Sequence, residues 1–156
     1  RFRQLGMVRN RGLELSVAGE LAKGLNLVAG NVLIDAEVSG EEVRNGTIGA
    51  RPVGTFRRHT VVSLDYRPRA VSAVSFDAFV ESIDATVANS ANTLFEGPRA
   101  VLHLGTRYRF DVGDAKLLFR ARVFNVTNTF GWIVGGSGFF IPNGTRRFSL
   151  GLSADI

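Results

Sequence analysis

The chain has 156 residues, enough for one domain, with 18 glycines, 12 phenylalanines, no cysteine and a formal net charge of +5. The absence of cysteine excludes disulfides and thiolate metal sites. The sequence contains no run of about 18 apolar residues, so we expect no transmembrane helix. The basic charge does not form a compact patch between stacking aromatic residues, so we expect no nucleic-acid partner.

Alternation of apolar and polar residues predicts seven β-strands, because successive side chains of a strand point to opposite faces. The predicted ranges are residues 12–21, 26–39, 58–67, 71–87, 99–111, 115–125 and 145–156. In the first range Leu13, Val17 and Leu21 also recur every four residues, so a helix is the alternative there. In the last range Phe148, Leu150 and Leu152 oppose polar residues over a length typical of a strand that crosses a bilayer.

Two further expectations concern individual strands. In the second, the apolar face is predicted to carry Val28, Val32, Ile34, Ala36 and Val38. In the sixth, Phe124 and Asn125 fall out of the alternation, which a β-bulge would explain.

The connections between the predicted strands alternate strictly between short and long. Short turns are expected at residues 23–24, 68–70 and 112–114, and long loops rich in Gly, Asn, Thr and Ser at residues 40–57, 88–98 and 127–144. In an antiparallel sheet this order puts every short turn at one end and every long loop at the other. Outer-membrane β-barrels have this layout, with short periplasmic turns and long extracellular loops. Tyr66, Tyr108 and Phe110 precede two of the short turns, as expected for an interfacial aromatic girdle.

The polar side of such strands would face a barrel lumen. This places five arginines there: Arg107, Arg109, Arg120, Arg122 and Arg147. Seven strands cannot close the usual bacterial barrel, whose strand number is even. We therefore expect residues 1–156 to be the C-terminal portion of a larger barrel domain, either excised from it or trimmed at the end.

Four short segments resemble TonB-dependent outer-membrane receptors. Residues 10–15 (NRGLEL) and 25–30 (LNLVAG) resemble a descending strand of that family and the ascending strand after it. Residues 121–128 (ARVFNVTN) are similar to its penultimate strand, and residues 146–153 (RRFSLGLS) to its closing strand. The family barrel usually ends in an aromatic residue, whereas this chain ends in Asp155 and Ile156.

The resemblance implies an all-β, antiparallel transmembrane barrel of about 22 strands, of which this chain would be the last seven. It implies an N-terminal plug, absent here, and active uptake of a siderophore or other scarce nutrient across the outer membrane of a Gram-negative bacterium. Expected partners are outer-membrane lipid and lipopolysaccharide, a small-molecule or metal-chelate ligand, TonB through the missing N-terminal part, and the barrel assembly machinery at the C-terminal strand. Neither an enzymatic activity nor a cofactor is expected.

Candidate ligand-binding residues lie in the predicted long loops, because loops on a rigid scaffold usually carry recognition. They are Arg44, Arg51 and Arg57, which could meet an anionic ligand, and the aromatic residues Trp132 and Phe139. The alternatives are contact with lipopolysaccharide phosphates for the arginines and an outer-leaflet girdle for the aromatics. His59 and His103 lie on separate strands without cysteine, so neither a metal site nor a catalytic pair is expected.

Two other functions remain open at this point. One is a soluble β-sandwich that binds a ligand, in which Phe148, Leu150 and Leu152 would be buried in protein and not face lipid. The other is a smaller passive barrel, such as a porin or an adhesion-type barrel.

Overall fold

The computed structural model describes residues 6–155, which form one large antiparallel sheet with loop structure at one end. In chain order the elements are β1 (Gly6–Ala22), β2 (Leu25–Gly40), helix α1 (Glu41–Arg44), β3 (Arg58–Tyr66), a 3₁₀ turn (Arg69–Val71), β4 (Val74–Ile83), β5 (Thr86–Val87), β6 (Phe95–Glu96), β7 (Arg99–Val112), β8 (Ala115–Phe124), β9 (Trp132–Val134), β10 (Phe140–Pro142) and β11 (Arg147–Asp155). Ile156, the predicted end of the last strand, lies outside the described residues.

The seven long strands follow one another across the sheet in the order β1-β2-β3-β4-β7-β8-β11, and each neighbouring pair is antiparallel. All seven predicted strands are therefore confirmed, and the helical alternative for the first is wrong, since β1 is extended throughout. The strand predicted at 71–87 is shorter than expected because the 3₁₀ turn precedes β4 and Asp84 begins a loop.

Short and long connections alternate as predicted. The short ones are residues 23–24, 67–73 and 113–114. The long ones are the first long loop (residues 41–57), the second long loop (84–98) and the third long loop (125–146). The pairs β5–β6 and β9–β10 are small two-stranded sheets inside the second and third long loops.

Strand pairing assigns each side chain to a face, because residues directly opposite in an antiparallel pair project to the same side. One side, the apolar face, carries Leu64 of β3, Ala78 of β4, Leu104 of β7 and Val123 of β8, which lie in one row across the sheet. The opposite side, the polar face, carries most of the charged residues. Phe148, Leu150 and Leu152 belong to the apolar face and are 63–75% exposed.

The predicted faces of β2 are wrong. Val28 pairs with Ser63 and Val32 pairs with Glu14, so these valines lie on the polar face, whereas Leu27 lies opposite Leu64 on the apolar face. Both alternations of β2 carry apolar residues, so its sequence is ambiguous and the neighbouring strands decide the register.

The bulge predicted at the end of β8 is also absent: the β8–β11 pairing is regular up to Phe124, and Asn125 ends the strand with a positive φ of 50°. A register shift occurs instead in β1, between Glu20 and Ala22.

The best-buried side chains of the described residues lie mostly under the long loops. Val87, Ala88 and Val134 have at most 8% exposure, and Asn125 has 2%. The apolar face, by contrast, has no second sheet packed on it within residues 6–155. The described residues therefore do not form the core of a β-sandwich.

Candidate functional site

The polar face brings together charged residues that are far apart in sequence. Asp65, Asp77, Gly105, Arg122 and Ser149 lie opposite one another on β3, β4, β7, β8 and β11 and so form one row across the sheet. A cleft of about 470 Å³ opens over the middle of this row.

Two aspartates face each other directly in the row, and like charges in that position repel. We call Asp65 and Asp77 the acidic pair. Arg107 forms an ion pair with Asp65 and places a terminal nitrogen 3.8 Å from Asp77. Arg122 bonds Asp77 from the other side at 3.2 Å. Two guanidinium groups therefore neutralise the acidic pair.

Gly105 makes this arrangement possible. A Cβ atom at position 105 would lie 2.5 Å from a carboxylate oxygen of Asp77. Because glycine leaves that space open, Asp77 can lean over β7 and meet Arg122 on the following strand.

An aromatic row lies one step closer to the long loops on the same face. We use this name for Phe79, His103 and Phe124. The ring of His103 stacks on Phe79 at 5.6 Å and meets Phe124 edge-on at 5.5 Å. Arg147 extends the row by placing its guanidinium 4.9 Å from the centre of the Phe124 ring, a cation–π geometry. Phe79, which breaks the polar alternation of β4, therefore has a packing role.

The five arginines predicted to share one face do so. Arg107 of β7 lies directly opposite Arg120 of β8, and Arg109 lies two residues after Arg107 on the same side of β7. Arg122 bonds Asp77, and Arg147 lies over the ring of Phe124. Among the described residues, only Arg107 and Arg122 of the five form ion pairs. Arg109 and Arg120 thus leave exposed positive charge on the polar face.

The long loops pack on one another. Between the first and second, Gly54 donates to the carbonyl of Val87 at 2.9 Å, and Val87 donates to the carbonyl of Thr55 at 3.0 Å. The side chain of Asn92 then bonds both the N–H and the carbonyl of Arg51, at 2.8 and 2.9 Å. These bonds make the first two loops one unit.

The third long loop is tied to the second at Trp132. Its N–H donates to the carboxylate of Glu96 at 3.0 Å, and its carbonyl accepts from Arg99 at 2.9 Å. The indole meets Phe130 and Phe140 edge-on, at 5.8 and 6.4 Å. An exposed aromatic cluster therefore stands on a fixed backbone.

Two asparagines join the start of the third long loop to its far end. The side chain of Asn125 donates to the carbonyls of Thr129 and Gly144 and accepts from the N–H of Thr129, all at 2.8–2.9 Å. Asn128 accepts from the N–H of Arg146 at 2.9 Å. Both have positive φ, which asparagine tolerates better than most residues. The two asparagines of residues 121–128 thus close the third long loop at its base.

The predicted ligand-binding residues do not form one cluster. Arg44 ends α1, Arg57 is exposed just before β3, and Arg51 is held through its backbone. Phe139 packs its ring against Gly135, apart from the ring contacts of Trp132. Glu96 and Arg99, which position Trp132, are not among the predicted residues, because their contacts join different parts of the chain and no local sequence pattern marks them.

No metal-binding cluster of three or more His, Cys, Asp or Glu residues occurs within residues 6–155. His59 bonds Glu81 at 2.9 Å, whereas His103 belongs to the aromatic row, so the two histidines have separate environments. No helix in the described part of the chain is long and apolar enough to cross a membrane.

Known proteins resemble this chain in both sequence and fold, although no protein-family model matches it. The ferrichrome receptor FcuA of Yersinia enterocolitica is 34% identical over 153 residues, which are 97% of this chain and 20% of the relative. The chain therefore spans about a fifth of the length of the curated relative that it matches.

Solved receptor structures share the fold. The ferric preacinetobactin receptor BauA of Acinetobacter baumannii superposes with a TM-score of 0.85 at 24% identity, over 97% of this chain and 22% of the receptor. The ferric-catecholate import receptor Fiu of E. coli K12 gives 0.74 at 23% identity, over 94% of this chain and 21% of that one. In sequence and in fold, the chain therefore matches the C-terminal barrel part of TonB-dependent siderophore receptors.

Proposed function

We propose that the full protein is a TonB-dependent receptor that takes up a ferric siderophore across the outer membrane of a Gram-negative bacterium. The observation that carries the proposal is the 34% identity with a ferrichrome receptor over nearly the whole chain. The strict alternation of short and long connections agrees with a barrel whose long loops are extracellular.

Residues 1–156 supply the C-terminal barrel strands, the last seven of about 22, and the plug and earlier strands belong to the rest of the protein. The apolar face meets lipid, because a large exposed set of Leu and Phe side chains is stable there and not in water. The polar face lines the lumen, where Arg107, Arg109, Arg120, Arg122 and Arg147 are hydrated. The acidic pair with its two arginines stiffens that lining.

The transported ligand is a small metal chelate. Ferrichrome is the first candidate, because it is what the relative's name specifies. The receptors with similar folds are named for preacinetobactin, catecholates and pyoverdine, so the barrel fold by itself does not select among these chelates.

Recognition takes place at the long-loop end. Trp132 offers a rigid aromatic surface held by Glu96 and Arg99. Phe139 adds a second exposed ring. Arg44, Arg51 and Arg57 provide positive charge, and no ion pair among the described residues involves them.

The other partners follow from the same proposal. TonB couples through the N-terminal part, lipopolysaccharide surrounds the loop end, and the barrel assembly machinery recognises the C-terminal strand. The chain acts in transport and not in catalysis, without a cofactor. A passive porin-type barrel is the competing function, and dependence of uptake on the proton gradient separates the two.

The test uses the full-length protein in a bacterial host that lacks its own ferrichrome receptor. We expect a heat-modifiable band in the outer-membrane fraction and uptake of iron-labelled ferrichrome that stops when an uncoupler collapses the proton gradient. Ferric catecholate and ferric pyoverdine serve as ligand controls. Uptake that persists without the gradient indicates a passive barrel, and a soluble protein contradicts the proposal altogether.

Loop variants test the binding residues. The joint change Arg44→Gln and Arg57→Gln should weaken ligand binding about tenfold or more, since a charge-assisted hydrogen bond contributes about 1.5–3 kcal/mol. Trp132→Ala should weaken binding similarly, since truncation of an aromatic anchor in a binding site costs about 2 kcal/mol or more. Lys116→Gln, at the short-turn end, is the matched control. Equal binding by all these variants would place recognition outside these loops.

A further inference from the structure

The apolar face contains a groove near its short-turn end. Its volume is about 400 Å³, within the range of small-molecule sites. Six apolar-face residues line it: Leu25, Leu64, Tyr66, Phe76, Ala78 and Leu104.

The groove results from one small residue among large ones. Ala78 lies between Leu64 and Leu104 in its row, and the neighbouring row carries the directly paired Tyr66 and Phe76. The methyl group of Ala78 leaves a depression that the larger side chains surround. Its lining residues come from four neighbouring strands, β2, β3, β4 and β7, and the depression opens outward.

Basic residues stand at one end of this groove. Leu25 follows the turn that holds Lys23, and Tyr66 precedes Arg67. The N–H of Arg67 donates to the carbonyl of Gly24 at 2.7 Å, which joins the two turns and brings Lys23 beside Arg67. Arg69 lies in the 3₁₀ turn that follows.

These three cations keep their charge available. All are exposed, and none forms an ion pair among the described residues. Arg67 uses its Nε to bond the carbonyl of Ser72 at 2.8 Å, which holds the side chain across its turn. Its terminal nitrogens have no hydrogen-bond partner among the described residues. The carboxylate of Glu20, near the end of β1, accepts from the N–H of Gly24 at 2.8 Å.

We propose that this groove and its basic end form a binding site for one anionic glycerophospholipid, with an acyl chain along the groove and its phosphate at Lys23, Arg67 and Arg69. The site rests on the proposed function, which puts the apolar face in the bilayer and the short turns at the periplasmic surface. An apolar slot continuous with the lipid-facing surface, capped by positive charge, matches a phospholipid in both polarity and charge. Lipopolysaccharide is not the occupant, since its phosphates lie at the long-loop end of such a barrel.

The test measures lipid retention by the full-length receptor in detergent. Dipalmitoyl phosphatidylglycerol and dipalmitoyl phosphatidylcholine are added in equal amounts, and bound lipid is counted by native mass spectrometry. We expect wild-type protein to retain the anionic lipid at least tenfold better. Neutralising Lys23, Arg67 and Arg69 to Gln should reduce this retention about fivefold per residue, because a basic residue at an anionic surface contributes about one kcal/mol.

Two further variants make the result specific. Ala78→Phe fills the groove without changing charge, and it should lower retention of phosphatidylglycerol although all three cations remain. Lys116→Gln removes a cation beside a different short turn, and it should leave retention unchanged. Heat-modifiable migration of every variant checks that the barrel is folded.

The outcomes separate the site from the proposed function. Equal retention of the two lipids, or an equal loss in Lys116→Gln, overturns the site, while ferrichrome uptake by cells that express the same protein leaves the proposed function standing. A protein absent from the outer membrane removes the orientation on which the site rests and overturns both.

Discussion

Asn125 is the residue whose loss should most loosen the third long loop. Its side chain is 2% exposed and makes three hydrogen bonds, two to Thr129 and one to Gly144. The bonds join the start of the loop to its far end. The substitution Asn125→Ala removes all three and keeps the backbone in a left-handed conformation, φ 50°.

The expected cost has two parts. Each lost hydrogen bond contributes about 1 kcal/mol net, so the three together contribute about 3 kcal/mol. Alanine in the left-handed region adds about 1–2 kcal/mol, which glycine avoids. We therefore expect Asn125→Ala to lower the free energy of loop opening by about 4–5 kcal/mol and Asn125→Gly by about 3 kcal/mol, so alanine should be the more damaging change.

Hydrogen exchange of the full-length receptor, followed by mass spectrometry, measures this opening directly. Peptides covering residues 126–146 should lose protection by about three orders of magnitude in Asn125→Ala, since about 1.4 kcal/mol corresponds to tenfold. The control is Asn45→Ala, because Asn45 makes two local bonds to Thr47 in the first long loop. Unchanged exchange at 126–146, or an equal change in the control, would refute the anchoring role.

Three further predictions concern the two faces of the sheet and the contacts of the acidic pair. Leu150→Arg should destabilise the barrel by about 2–4 kcal/mol in urea unfolding from lipid vesicles, whereas Ser153→Arg, on the polar face opposite the uncharged Leu118, should be nearly neutral; equal costs would contradict the assigned faces. Arg107→Met should cost about 1 kcal/mol, because the acidic pair loses a cation but is partly exposed, and a cost that does not shrink at high salt would argue against a charge effect. Gly105→Leu should displace the Asp77 carboxylate and break its contact with Arg122. A double-mutant cycle between positions 77 and 122 should then give a coupling free energy in the wild type and none in the Gly105→Leu background.

Much of the fold could be predicted because barrel strands carry their signal locally. The alternation in β3, β4, β7, β8 and β11 assigned each residue to its correct face. The arginines predicted on the polar side all lie there. The lengths of the connections were sufficient to predict that short turns lie at one end of the sheet and long loops at the other, since neighbouring strands are antiparallel.

The failures occurred where local sequence is ambiguous. β2 has apolar residues on both faces, so only its pairing with β1 and β3 fixes which valines face the polar side. The irregularity at Asn125 could equally mean a bulge or a strand end, and the hydrogen bonds of its side chain to distant residues decide for the strand end.

The sequence alone determined the seven strands, their faces apart from β2, and the resemblance to a receptor barrel, because side-chain alternation is a property of consecutive residues. Only the tertiary structure decided which charges meet: the acidic pair with Arg107 and Arg122, the stacking of Phe79 on His103, and the anchoring of Trp132 by Glu96 and Arg99. These contacts join residues from different strands and loops. Their partners depend on strand register and loop packing, which no single stretch of sequence encodes.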